Sequence, residues 1–205
     1  MKTIYFITGN KGKVLEANKK FSNVDIKIIQ KDLGYPEIQA DSLEEVTKYG
    51  VEYIQKKFNQ PFILEDAGLF IDALDGFPGV YSAYVYYRIG CSGILKLLAD
   101  VDYNRKAIFR SVFGYSEPGK KPKLFVGESK GTISKKTAGK HGFGYDPIFI
   151  PDGENKTFAQ MDTKEKNKYS HRGKSLEKLI AYFKKNESKR LKSYKYNRIY
   201  QDLYD

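Results

Sequence analysis

Residues 3–21, TIYFITGNKGKVLEANKKF, contain the pattern that decides the fold: an apolar run, a glycine-containing loop and a stretch with helical spacing. The run from residue 3 to residue 8 is apolar enough for a buried strand. Val14, Ala17 and Phe21 then recur at the interval of one helix face. The segment therefore predicts a strand, a tight loop and a helix.

The chain that follows continues this alternation. Residues 24–28 alternate between apolar and polar and predict a second strand. Ser42 and Glu45 form a capping box, and the helix that they begin carries an apolar stripe to about Phe58. Residues 62–64 then read as a strand. Because strands and helices take turns, we expect an α/β sheet with at least some parallel pairing.

The second half has a different pattern. Residues 106–115 and 123–133 are two strand-like runs on either side of a Pro- and Gly-containing loop, so they predict a hairpin. Residues 143–150 predict another strand, and Ser170 is expected to cap a helix. With no linker between the halves, we expect one domain over residues 1–185, with two lobes and a cleft between them.

Composition narrows the class of protein. The 205 residues are 40% hydrophobic and 15% aromatic, which is sufficient for a real core. No apolar run reaches the roughly 20 residues of a membrane span, so we expect no membrane partner and a cytoplasmic protein. Cys91 is the only cysteine, which excludes an internal disulfide and a thiolate metal cluster. With only two histidines, a structural zinc site is excluded as well.

The net charge of +11 predicts attraction to polyanions, which could be nucleic acid, a membrane surface or a small phosphorylated molecule. Part of the excess lies in residues 186–205, a basic and tyrosine-rich C-terminal extension. A solvated or dimer-contacting helix is the favoured interpretation of this extension. A nucleic-acid-binding arm is the less favoured one.

The glycine loop after the first strand is a candidate phosphate site. A loop between a strand and a helix turns backbone N–H groups toward an anion, and the helix dipole and lysines add positive charge. It is neither a Walker loop nor a dinucleotide fingerprint, and many tight turns use Gly and Asn. The candidate ligands are Thr8, Gly9, Asn10, Lys11, Gly12 and Lys13.

The segment 61–83, PFILEDAGLFIDALDGFPGVYSA, places carboxylates where the apolar run 62–64 ends. Acids at the end of a buried strand indicate a metal or acid/base site, and acidic turn residues are an equally good interpretation. Mg²⁺ usually binds one or two carboxylates together with substrate phosphates. Asp66, Glu65 and the outlying Glu37 could provide them, whereas Asp72 and Asp75 are expected to have turn and surface roles.

Two later motifs complete the set. Residues 142–147, GFGYDP, combine flexible glycines, aromatic rings and a carboxylate, and they predict a purine pocket. The alternative is a strand start with core aromatics. Residues 170–174, SHRGK, place hydrogen-bond donors at a helix N-terminus.

The four motifs, in this order from about residue 3 to about residue 185, resemble the inosine triphosphate pyrophosphatase family. The resemblance implies a long mixed twisted sheet flanked by helices, with the active site in a cleft between two lobes. It implies Mg²⁺-dependent hydrolysis of non-canonical purine nucleoside triphosphates (ITP, dITP, XTP) to the monophosphate and pyrophosphate. It also implies a homodimer.

The same resemblance assigns roles to individual residues. It makes Asp66 the general base and places Glu37 and Asp66 near the magnesium ion. The residues that the motifs and this resemblance together assign to the substrate are Thr8, Gly9, Asn10, Lys11, Gly12, Lys13, Lys48, Ala67, Phe143, Gly144, Tyr145, Asp146, Lys166, His171 and Arg172.

The chain departs from the family pattern at two positions. Ala67 replaces a hydroxyl residue, and Ala83 replaces a basic residue, so one phosphate contact is missing unless Arg88 compensates. Two other functions stay open from the sequence alone. One is a nucleic-acid-binding module that uses the basic extension, and the acidic segment argues against nucleic acid as the main partner. The other is a pyrophosphatase for other modified nucleotides.

Overall fold

A computed structural model describes residues 2–201, so the predicted extension at 186–205 lies partly outside the described residues. The strands are β1 (Lys2–Ile7), β2 (Ile26–Lys31), β3 (Phe62–Ile71), β4 (Pro78–Gly79), β5 (Lys106–Ser116), β6 (Lys123–Ile133) and β7 (Phe149–Pro151). The helices are α1 (Lys11–Phe21), α2 (Leu43–Gln55), α3 (Ser82–Leu97), α4 (Thr163–Tyr169) and α5 (His171–Gln201). The backbone of residues 186–201 continues α5.

The strands form one mixed sheet in the order β2-β1-β3-β5-β6-β7, with β4 paired to β3. β1 runs parallel to both β2 and β3, and the other pairs are antiparallel. The predicted α/β class with some parallel pairing is therefore confirmed. The predicted hairpin is confirmed as β5 and β6, which pair from Lys106↔Thr132 to Tyr115↔Lys123.

Helices cover both faces of the sheet. On one face, Phe6, Ile63 and Phe113 pack with apolar residues of α1 and α5. On the other face, Phe62 and Leu64 pack with apolar residues of α2. A third apolar cluster lies around α3 and β7, at the C-terminal end of β3 and the N-terminal end of β5. None of the helices within residues 2–201 combines the length and the apolarity that crossing a bilayer requires.

The prediction that the strand after residue 61 ends at residue 64 was wrong. β3 continues to Ile71 because β5 pairs with it along its whole length, from Phe62↔Ser116 to Ile71↔Ala107. Gly68 is part of this strand and not of a turn. A Cβ there would lie 2.4 Å from the carbonyl oxygen of Gly79, so glycine allows β4 to approach. The two carboxylates Glu65 and Asp66 consequently lie inside a strand.

The predicted strand at residues 143–150 was also wrong over most of its length. Gly142 and Gly144 have φ values of 74° and 62°, which turn the backbone away from an extended path. A short 3₁₀ helix at Asp146–Ile148 follows, and only the last part becomes β7. Helix α3 was not predicted from the sequence. It contains a kink at Gly90, which interrupts the helical spacing.

Candidate active site

Asn10 organises the loop between β1 and α1. Its side-chain Oδ1 accepts hydrogen bonds from the backbone N–H groups of Gly12 and Lys13, at 2.8 and 3.2 Å, and so caps the helix. The Thr8 hydroxyl in turn accepts from the Asn10 backbone N–H at 3.1 Å. Three of the backbone N–H groups that were expected to face an anion, those of Asn10, Gly12 and Lys13, therefore have partners within the loop. The shape of the loop is thus supported by hydrogen bonds to its own side chains.

Gly12 brings this loop into contact with the predicted base-binding segment. A Cβ at residue 12 would lie 2.7 Å from the ring of Phe143, closer than any real contact of this kind. The start of α1 and the aromatic segment are therefore packed directly on each other. Glycine at position 12 has a structural reason that is independent of phosphate binding.

Behind this contact lies a chain of alternating charges. Three cations and three carboxylates are linked in the order Lys13, Glu65, Arg172, Glu16, Lys166 and Asp146. The five ion-pair distances along the chain, in the same order, are 2.7, 3.0, 2.7, 2.7 and 2.6 Å. All members except Lys13 are almost fully buried. We call this set the ion chain; its formal charge is zero.

The ionisation of the ion chain follows from its pairing. Burial by itself would raise the pKa of Glu65, but Arg172 and Lys13 hold that pKa at about 2. The Ser111 hydroxyl donates a further hydrogen bond to Glu65 at 2.7 Å. At the other end, burial raises the pKa of Asp146 despite its contact with Lys166. Glu65 is thus fixed as an anion, with every oxygen occupied.

Asp66 lies next to Glu65 in β3 but points to the opposite face of the sheet, because side chains alternate along a strand. Its Oδ2 accepts hydrogen bonds from the hydroxyls of Tyr35 and Thr47, at 3.2 and 3.4 Å. Burial, together with the nearby charges of Glu65 and Glu37, raises the pKa of Asp66 to about 6 against the opposing effect of Lys13. A half-buried carboxyl with such a pKa is suited to accept a proton near neutral pH.

A cavity of about 190 Å³ opens beside the ion chain. Its charged lining consists of Lys13, Arg172 and Asp146 of the ion chain, and its apolar lining comes from aromatic rings. Tyr86 of α3 meets Tyr145 edge to face at 5.3 Å, and Phe109 stacks on the His171 ring at 4.5 Å. The lining residues are Asn10, Lys13, Ala67, Ser82, Ala83, Tyr86, Tyr87, Phe109, Phe143, Gly144, Tyr145, Asp146, His171 and Arg172.

His171 is neutral in this setting. Burial and the neighbouring Arg172 lower its pKa well below the usual range of a histidine. Its Nδ1 atom is buried and has no hydrogen-bond partner among the described residues. The imidazole therefore presents a flat, uncharged ring to the cavity, and its Nδ1 atom could still take part in a hydrogen bond.

The structure brings together nine of the predicted substrate residues at this cavity and leaves the others outside it. Asp146, predicted to accept bonds from a base, uses its Oδ2 for Lys166 and for the Phe143 backbone N–H. Lys166 lies behind Phe143, 5.0 Å from the centre of its ring. The predicted residues that do not line the cavity are Thr8, Gly9, Lys11, Gly12, Lys48, Lys166, Glu37 and Asp66.

The predicted residues that do not line the cavity lie at several places around it. Lys48 is exposed on α2, and Glu37 is exposed in the link between β2 and α2. Asp66 does not line the cavity, whereas its neighbour in the strand, Ala67, does. Arg88 lies 5.0 Å from the ring of Tyr84 on the exposed side of α3 and does not take the place left by Ala83. Asp72 and Asp75 are exposed turn residues, as predicted.

Several residues at this site had not been singled out from the sequence. Glu16 is one, and its side chain is only 4% exposed. The signal in the sequence was an acidic residue on the helix face that also carries Ala17. Tyr86 and Tyr87 are others, on the helix that was missed. Tyr35 is the fourth, and no local pattern points to it because its partner lies 31 residues away.

The fold and the site define a class of protein: an α/β nucleotide-binding protein in which a capped helix-start loop, cations and aromatic rings meet at one cleft. Comparison with known proteins then identifies the family. The model of the Ham1 family matches residues 4–182, and the chain belongs to this family. The resemblance stated from the four sequence motifs is thereby confirmed.

Named relatives agree with this assignment. A protein of Methanopyrus kandleri named dITP/XTP pyrophosphatase is 52% identical over 183 residues, which cover 89% of this chain and 97% of that protein. One of the same name from Thermococcus kodakarensis is 50% identical, covering 88% and 97%. The structure of the Staphylococcus aureus Ham1 protein superposes with a TM-score of 0.78 at 30% identity, covering 90% of this chain and all of that one.

Proposed function

We propose that this protein hydrolyses ITP, dITP and XTP, the deaminated purine nucleoside triphosphates, to the nucleoside monophosphate and pyrophosphate. The observation that carries the proposal is the cavity itself, which is lined by Lys13 and Asn10 together with aromatic rings. Two relatives with half of their residues identical are named for this activity on dITP and XTP. The chain is then an enzyme that removes unwanted nucleotides from the pool.

In the proposed mechanism, Asp66 takes a proton from a water molecule that attacks the α-phosphorus. The bond from the α-phosphorus to the bridging oxygen breaks, and that oxygen leaves with pyrophosphate. Asp66 is a base of suitable strength because its pKa is near 6. Lys13 and the N-terminal end of α1 would stabilise the negative charge that accumulates on the phosphate oxygens. No covalent intermediate with the protein is required.

The donor set fits a magnesium ion that also binds substrate. Asp66 and Glu37 are near enough to influence each other electrostatically, and oxygen ligands are those that Mg²⁺ prefers. Within the described residues, no group of three or more His, Cys, Asp or Glu side chains could hold a metal alone. An ion held by Asp66 and Glu37 would therefore need substrate phosphates to complete its shell, and when bound it would neutralise their charge.

Base selection is proposed to occur at the cation-lined part of the cavity. Arg172 carries only N–H donors and retains donors beyond those used by Glu16 and Glu65. A 6-oxo group, as in hypoxanthine or xanthine, can accept from such donors. The 6-amino group of adenine cannot, and a buried donor without a partner gives strong rejection.

A homodimer in the cytoplasm remains part of the proposal. Phe77, Tyr81 and Tyr84 are 41%, 45% and 62% exposed in the turn before α3 and on its first half. Aromatic side chains gathered in this way are typical of interface cores. A Tyr84→Lys variant should shift the mass measured by light scattering toward that of one chain of 23.5 kDa. A wild-type protein that already elutes at this mass would contradict the dimer.

The test of the function is a panel of nucleoside triphosphates, with pyrophosphate release measured in the presence and absence of Mg²⁺. The panel contains ITP, dITP and XTP together with ATP, GTP and pyrimidine triphosphates. We expect ITP and XTP to be cleaved at least about 100-fold more efficiently than ATP, with little release when Mg²⁺ is chelated. Equal cleavage of all purines, or a preference for pyrimidines, would contradict the proposal.

A further inference from the structure

The link between β2 and α2, residues 32–42, has no helix or strand of its own, and most of its side chains are exposed. Tyr35 is an exception. Its ring packs with the apolar cluster that contains Val51, Ile54 and Leu64 under α2. Its hydroxyl donates a hydrogen bond to Asp66 Oδ2 at 3.2 Å. One side chain thus joins an irregular surface segment to the carboxylate at which the proposed chemistry occurs.

The sequence of α2 makes room for this ring. Gly50 lies inside the helix, where glycine weakens helix formation relative to alanine. A Cβ at this position would lie 2.8 Å from the Tyr35 ring, so any other residue would displace it. The chain therefore keeps an unfavourable helix residue at the one place where the Tyr35 ring rests.

A second hydroxyl completes the arrangement. Thr47 is fully buried, and its Oγ1 lies 3.4 Å from Asp66 Oδ2 and 3.3 Å from the backbone carbonyl oxygen of Val112. A single hydroxyl proton cannot serve both acceptors at full strength. Tyr35 is consequently the more constant donor to Asp66. Both hydroxyls meet the same oxygen, Oδ2, which leaves Oδ1 without a hydrogen bond from the described residues.

We propose that Tyr35 is a positioning residue: its hydroxyl fixes the rotamer of Asp66 so that Oδ1 faces the reacting water, and the same bond anchors the 32–42 link that carries Glu37. This inference rests on the proposed function of Asp66. It assigns to Tyr35 no contact with substrate. Its effect on the reaction is indirect, through the orientation of a carboxylate and through the place of a neighbouring one.

The test uses the full-length protein and the variant Tyr35→Phe, which removes the hydroxyl and keeps the ring on Gly50. Tyr53→Phe is the matched control, because Tyr53 also contributes a phenol near α2, but its hydroxyl contacts the exposed Lys57 and not Asp66. With ITP as substrate, we expect kcat to fall about tenfold in Tyr35→Phe and KM to stay within about twofold. Tyr53→Phe should match the wild type in both constants.

A second measurement does not depend on activity. Amide hydrogen exchange over residues 32–42, recorded without nucleotide and in the presence of a chelator, should be about fivefold faster in Tyr35→Phe than in the wild type. Asp66→Ala, which removes the acceptor, should accelerate the same amides, and Gly50→Ala should do so by displacing the ring. Exchange in Tyr53→Phe should be unchanged.

The outcomes separate the two proposals. If the wild type does not cleave ITP, the proposed function fails, while the exchange experiment still tests whether Tyr35 anchors the link to Asp66. The positioning role is overturned if Tyr35→Phe and Tyr53→Phe have the same kcat. It is also overturned if exchange over residues 32–42 is the same in Tyr35→Phe, Asp66→Ala and the wild type.

Discussion

Two neighbouring carboxylates of β3 face opposite sides of the sheet, and their surroundings differ in almost every respect. On the side of α1 and α5, Glu65 is held by Arg172, Lys13 and Ser111, and its pKa is about 2. On the side of α2, Asp66 receives only two hydroxyl bonds of 3.2 and 3.4 Å, and its pKa is about 6. Glu65 has partners at both of its oxygens and stays ionised, whereas Asp66 can still accept a proton.

The difference shows how one strand can combine stability and chemistry. A buried charge with good partners is costly to disturb, so the Glu65 side fixes the relative positions of α1, β3 and α5. A half-buried carboxylate without a full set of partners is held at a pKa useful for proton transfer. The two roles occupy consecutive residues because side chains alternate along a strand. The predictions below disturb each side separately.

The largest expected effect is on turnover in Asp66→Asn. The substitution removes the proposed base but keeps the shape of the side chain, so we expect pyrophosphate release from ITP to fall about 10²- to 10⁴-fold. Binding of ITP, measured by calorimetry, should remain within a few-fold of the wild type. Asp72→Asn is the control, because Asp72 is an exposed turn residue of the same segment, and its turnover should be normal. Near-normal turnover in Asp66→Asn would reject the assignment.

The next effect is on folding. Glu65→Gln leaves Arg172 buried with one carboxylate partner fewer, and breaking a buried pair in this way typically costs about 3–5 kcal/mol of unfolding free energy. Urea denaturation would measure it. Glu117→Gln removes partners of the surface residues Lys2 and Lys120 instead and should cost no more than about 1 kcal/mol. Equal losses in the two variants would mean that the ion chain has no special role in stability.

A smaller effect is the pH dependence of stability. The pKa of Asp66 is raised in the folded protein, from 3.8 to about 6. The stabilising contribution of its protonated form is therefore complete below pH 4 and is lost as the pH rises through about 6. In the absence of metal, Asp66→Asn should be more stable than the wild type at pH 8 by about 1–3 kcal/mol. The difference should vanish at pH 4, and one that is constant between pH 4 and pH 8 would contradict the raised pKa.

The smallest effect concerns the cavity rim on the Glu65 side. Ala83 lines the cavity. The family pattern described in the sequence analysis has a basic residue at this position. Ala83→Lys should lower the KM for ITP by about threefold, an exposed charge contact being worth at most about 1 kcal/mol, and should leave kcat unchanged. Ala83→Gln, which adds length without charge, is the control. A similar KM for both variants would show that no phosphate group comes near residue 83.

Much of the fold follows from local patterns in the sequence. The strand, loop and helix at residues 3–21, the Ser42 cap of α2 and the β5-β6 hairpin all depend on spacing and capping that a short window contains. The extension of β3 beyond Leu64 does not, because it is imposed by pairing with β5. The turn at Gly142 and Gly144 was missed because aromatic residues between glycines also fit a strand.

The site was predictable only in part for a related reason. The cavity collects Asn10, Lys13, Phe143 and Arg172, whose types and motifs indicated a nucleotide. The pairing of these residues with one another could not be foreseen. Glu16 meets Arg172 across 156 positions of the chain, and neither residue type nor spacing encodes such a contact. The fold therefore decides that Glu65 has a full set of partners and that Asp66 can still accept a proton.

The most direct test of the account is a single-turnover hydrolysis of ITP in water enriched in ¹⁸O, with both products analysed by mass spectrometry. If water activated at Asp66 attacks the α-phosphorus, the label will appear in the monophosphate of the wild-type reaction, and Asp66→Asn will yield almost no labelled product. Label in the pyrophosphate, or labelled monophosphate formed by Asp66→Asn at the wild-type rate, would contradict it.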